Sequence, residues 1–77
     1  MFEQLHALAA CGRPWAEQRA QTALQLAEAY AAREISTSEY RELLEDLVRA
    51  DRLDSEADDL DTKSALVSAI MVVSSVA

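Results

Sequence analysis

At 77 residues the chain has room for one domain; 51% of it is hydrophobic but only 5% aromatic, and it carries a net charge of −7. Chains this short bury a modest fraction of their surface and commonly lean on disulfides, a metal or association with other chains. Cys11 is the only cysteine and His6 the only histidine, which excludes an internal disulfide and a Cys/His metal cluster and leaves association as the expected support.

Ala, Leu, Glu, Gln and Arg dominate, all strong helix formers, and a single Gly and a single Pro offer little turn punctuation. The reading is one all-α domain over residues 1–77. A first short helix is expected over about 2–11, where Phe2, Leu5, Leu8 and Ala9 recur at helical spacing and Gly12 supplies a stop. Pro14 suits the first turn of a second helix, because its missing N–H would be unpaired there anyway. That helix should run to about residue 33 with Ala16, Ala20, Ala23, Ala27 and Ala31 along one stripe. Small side chains there either let another helix approach closely or reflect helix propensity alone.

Ser36-Thr37-Ser38-Glu39 is a capping box, with Ile35 and Tyr40 at the two positions of a hydrophobic staple. It predicts a third helix over 37–51 whose apolar face is Tyr40, Leu43, Leu44, Leu47 and Val48. Two long helices joined at Glu34-Ile35-Ser36 make an antiparallel helical hairpin. Residues 52–61 read as an acidic linker, with at most one helical turn anchored by Leu53 and Leu60. Asp61 or Thr62 is then the expected cap of a last helix over 62–76.

The C-terminal segment Ser64–Ala77 reads as apolar all round, the pattern of an element buried on most sides; a strand is its alternative, because Ile70 to Val73 is rich in β-branched residues. A short chain has difficulty surrounding such an element. Leu66, Ile70, Met71, Val73 and Val76 are therefore expected to bind partner chains. Trp15 is either a further binding residue, given how often tryptophan carries interface energy, or a staple between the first two helices.

Charge is unevenly placed: residues 39–61 hold ten acids and three bases, and the rest of the chain is neutral. Asp54, Glu56, Asp58, Asp59 and Asp61 form the acidic surface. Phosphate binding needs a basic surface, so nucleic acid is disfavoured as a partner, and an anionic membrane would repel the same segment. The apolar tail is too short for an ordinary membrane span. Residues 1–12 lack the basic start and unbroken apolar run of a secretory leader. A location in the cytoplasm, or in a particle assembled inside the cell, is expected.

No catalytic, cofactor or metal site emerges. Asp54, Glu56 and Asp58 have the spacing of the first ligands of a calcium loop, but Asp59 stands at the sharp-turn glycine and Ala65 at the closing glutamate. His6 and Cys11 lack an orienting third group, and Thr62-Lys63-Ser64 lacks a glycine-rich loop.

The stretch from Leu26 to Val48 resembles a SHOCT domain. Ile35, Ser36, Glu39 and Tyr40 fit the turn of such short hairpins, while Arg33 stands where glycine is usual and Leu44 where lysine is common. The resemblance implies an oligomerisation or interaction role without catalysis. A short acidic chain with an apolar tail also looks like small phage structural or accessory proteins. The expected function is a helical assembly module within a homo-oligomer or larger complex. The alternative is an acidic regulator or inhibitor that covers a basic protein surface.

Overall fold

The computed structural model describes residues 2–76, with Ala50 described by its backbone alone. The chain is all-α, in the order α1 (Glu3–Leu8), α2 (Pro14–Ala31), α3 (Thr37–Leu47), α4 (Ala50–Glu56) and α5 (Leu60–Ser75). α2 and α3 form the hairpin, and α5 packs on α1, α2 and α3.

The hairpin turn is built by local chemistry. The Ser36 hydroxyl accepts from the Glu39 N–H at 3.1 Å, and the Glu39 carboxylate accepts from the Ser36 N–H at 3.2 Å, closing the capping box. On the other side, Arg33 has φ 62°, in the left-handed region. Its N–H donates to the Tyr30 carbonyl and that of Glu34 to the Ala29 carbonyl. This is the paired hydrogen-bond pattern that ends helices at a left-handed residue, where glycine is the usual choice. α2 therefore stops at Ala31, two residues short of the expected end. Gly12, at φ 88°, makes the corresponding bend after α1. Its N–H donates to the Glu17 carboxylate at 2.9 Å, which ties the bend to the first turn of α2.

Ala16, Ala20 and Ala23 are fully buried. With little side chain projecting from this stripe, helices can lie close to α2, which contacts α1, α3 and α5. Leu5 of α1, Leu44 of α3, and Leu66, Ile70 and Val73 of α5 fill the space between.

α5 is a helix, not a strand, and it is not apolar all round. At about 100° per residue, Ser64, Ser68 and Ser75 fall on one side, and all three are exposed. Leu66, Ala69, Ile70 and Val73 face the opposite way and are buried. The chain thus covers its own tail: a Cα radius of gyration of 11.7 Å matches the value of about 11.5 Å for a compact chain of this length.

The expected linker over 52–61 is the largest departure. α3 ends at Leu47, and α4 occupies Ala50–Glu56. Leu53 is buried and anchors it, while Leu60 is 74% exposed and anchors nothing. The cap of α5 is Asp59, earlier than either Asp61 or Thr62: its carboxylate accepts from the Thr62 N–H at 2.9 Å and also from the Thr62 hydroxyl. Cys11 is exposed.

Candidate functional site

Two surfaces contain the residues singled out in the sequence, and the fold treats them differently. The first is an apolar groove of 520 Å³ between α1, the C-terminal half of α2, the start of α3 and the end of α5. Phe2, Leu24, Tyr30, Tyr40, Val73 and Val76 supply its larger side chains. Tyr30 and Tyr40 stack with ring centroids 4.5 Å apart and planes 2° from parallel. The Tyr30 hydroxyl shares a 3.1 Å hydrogen bond with the Thr37 hydroxyl, which orients the outer ring. Burial pushes the Tyr40 hydroxyl pKa up, and neighbouring Tyr30 adds to the effect. His6 and Glu28 stand at the groove as its ionisable members.

Of the residues expected to bind partners, Val76 lies at this groove and is 59% exposed. Val73 lines it from below while belonging to the core. Leu66 and Ile70 are fully buried inside the chain and are closed to a partner in this fold. Met71 is half exposed but falls on the other flank of α5, away from Val76. Val72, one turn before Val76 and about 40° from it around α5, is also half exposed. Phe2 and Val72 were missed as surface residues. Helical spacing placed Phe2 with Leu5 and Leu8, and only the end of that stripe comes out at the groove.

The second surface is the acidic band, and most of it is bonded to the chain's own bases. Asp58 Oδ1 accepts from Arg13 Nη1 and from Trp15 Nε1, both at 2.9 Å. Glu56 accepts from Arg19 Nη2 at 2.7 Å, Asp54 accepts from Lys63 Nζ, and Asp59 lies 3.8 Å from Arg13. Hydrogen bonds hold the carboxyls of Glu56, Asp58 and Asp59 below the usual carboxylate range. For Glu56 the main cause is the Arg19 hydrogen bond; for Asp58 it is the Trp15 N–H, ahead of Arg13; for Asp59 it is the Thr62 hydroxyl and N–H. Asp61 is exposed. Trp15 itself is 7% exposed, and its indole N–H is taken up by Asp58.

Arg19 was not foreseen. Its side chain is 11% exposed; Nε donates to the Leu47 carbonyl at 2.9 Å, Nη1 to the Trp15 carbonyl at 3.0 Å, and Nη2 to Glu56. The last carbonyls of a helix have no partner within it, so Arg19 of α2 caps α3 from outside and holds α4 with its remaining nitrogen. Its position one turn after Trp15 is the sole sequence hint.

Among the described residues no three His, Cys, Asp or Glu side chains gather as a metal site, and no helix is long and apolar enough to cross a membrane. No protein-family model matches the sequence, and no curated protein or solved structure is detectably similar to it.

Proposed function

We propose that the chain is a non-catalytic helical interaction module, built into a homo-oligomer or a larger assembly such as a phage particle, and that it docks through the groove. The observation that carries this reading is the set of apolar side chains around one end of the fold: Phe2 and Val76 are exposed at the groove that holds the Tyr30–Tyr40 stack. Exposed apolar patches rimmed by polar residues commonly mark protein interaction sites. The groove lies at the C-terminal end of α5, and the Asp59 cap lies at the other, about 24 Å away for 16 residues at 1.5 Å each. That is several screening lengths at physiological salt, so the carboxylates around Asp59 would not oppose docking of an apolar partner at the groove.

The test is solution mass by light scattering for the wild type and for Val72→Asp with Val76→Asp. Both positions are exposed, so the variant keeps its helical circular dichroism; removal of residues 64–77 would strip the core instead. Loss of an assembled species in the variant supports the reading, and a wild type that stays monomeric at all concentrations refutes self-assembly through the groove. The alternative, an acidic regulator on a basic surface, has less support, because Asp54, Glu56, Asp58 and Asp59 already serve Lys63, Arg19 and Arg13.

A further inference from the structure

α4 is held in place differently from the other helices. It runs along none of them, whereas α1, α2, α3 and α5 pack on one another. A seven-residue helix has no stability of its own, so its attachments decide whether it forms. Those attachments are few. Leu53 enters the core and Ala57 packs against it. Among the described residues, the ion pairs between residues 49–58 and the rest of the fold join Asp54 to Lys63, Glu56 to Arg19 and Asp58 to Arg13, with Arg49 to Asp46 at the junction with α3. The Trp15 N–H adds one hydrogen bond to Asp58.

We propose that residues 49–58 form a charge-held latch that swings away as a unit while the hairpin and α5 stay folded. Opening uncovers Leu53 and the Trp15 indole, two apolar groups on the side of α2 that carries Arg19. The groups facing the latch acids are unequal in a way that favours closure. Around Glu56 stand Arg19 of α2 and Arg52 of α4, with Asp46 of α3 in the same recess. Around Asp58 stand Arg13 and Trp15 of the α2 start, and Lys63 of α5 borders the recess that Asp54, Asp58 and Asp59 share. The depressed proton affinities of Glu56 and Asp58 agree with bases and N–H donors outweighing the neighbouring acids. Neutralising these carboxylates therefore loosens the latch. This proposal does not depend on the groove being an interface.

Amide hydrogen exchange on the full chain tests it. The Leu53 and Ala57 N–H groups donate to the Arg49 and Leu53 carbonyls inside the latch; Ala23 and Ile70 report on the core. After correction for intrinsic rates, Leu53 and Ala57 should exchange at least about tenfold faster than Ala23, with a shallow urea dependence that marks a local opening. Ile70→Val should speed exchange at Ala23 about fivefold and leave Leu53 and Ala57 unchanged, because local opening does not disturb Ile70. Glu56→Gln with Asp58→Asn, both exposed and near-isosteric, should speed Leu53 and Ala57 by about fivefold or more. Equal acceleration of all four amides by Ile70→Val would show that α4 opens only with the whole fold and would overturn the latch. Unchanged Leu53 and Ala57 rates in the charge-neutral variant would overturn its charge-held character.

Discussion

The Trp15 indole N–H donates to the Asp58 carboxylate at 2.9 Å, across 43 residues of sequence. One of these residues has the composition of a binding anchor and the other that of a solvated acid, yet they satisfy each other. The bond fixes the end of α4 against the start of α2, and Arg13 reinforces it from the same side. Trp15→Ala should cost about 3–5 kcal/mol, the range for deleting a large buried aromatic side chain. Trp15→Phe keeps most of the volume and removes only the donor, so its loss should be smaller. Urea denaturation followed by circular dichroism measures both; equal losses would mean that the N–H and not the ring volume matters.

Arg19→Met retains the packed stem and removes three donors. The Leu47 carbonyl at the end of α3 is then left unpaired, which costs about 1–3 kcal/mol where water cannot replace the donor. Arg19→Lys should recover only part of this, because an ammonium cannot match a planar fork that reaches Leu47, Trp15 and Glu56 together. The check is the urea midpoint of the three proteins.

Acid should loosen the fold through the same residues. Glu56, Asp58 and Asp59 have pKa values lowered in the folded state. Their contribution is therefore fully present above the unfolded values of about 4 and is lost as pH falls through the lower folded values. Stability measured at pH 7, 5 and 3 should decline chiefly in the last step. Glu56→Gln, Asp58→Asn and Asp59→Asn together should flatten that decline while lowering stability at pH 7.

At the hairpin turn, Arg33 occupies the left-handed region where a side chain is strained and glycine is not. Arg33→Gly should raise stability by about 0.5–1 kcal/mol, the relief of strain exceeding the added freedom of the unfolded chain. For a domain of this size that is a rise of a few degrees in Tm. Arg33→Val should lower it.

What could be read in the sequence was local. The capping box needs only Ser36 and Glu39, three residues apart, and the Tyr40–Leu44 stripe follows from one helix's own spacing. The serine strip of α5 was equally present in the spacing of Ser64, Ser68 and Ser75, but a run of apolar residues between them concealed it. The tail's burial turned on something composition does not show: the alanines of α2 leave room for Leu66, Ile70 and Val73 beside them. α4 and Arg19 were out of reach for a similar reason. Leu53 is one apolar residue among acids, and helix formation there rests on Arg19, Arg13 and Lys63, the first two brought from 37 and 45 residues away. The groove is a gap among four helices, so no single segment carries its signature.

The measurement that bears most directly on the docking role is a concentration series of backbone amide spectra, from dilute to concentrated protein. The account predicts shifts or broadening gathered at Phe2, Tyr30, Val72, Val73 and Val76, with the amides of residues 54–61 unchanged. Spectra that stay constant at every concentration, or changes gathered on the acidic band instead, would contradict it for self-assembly through the groove.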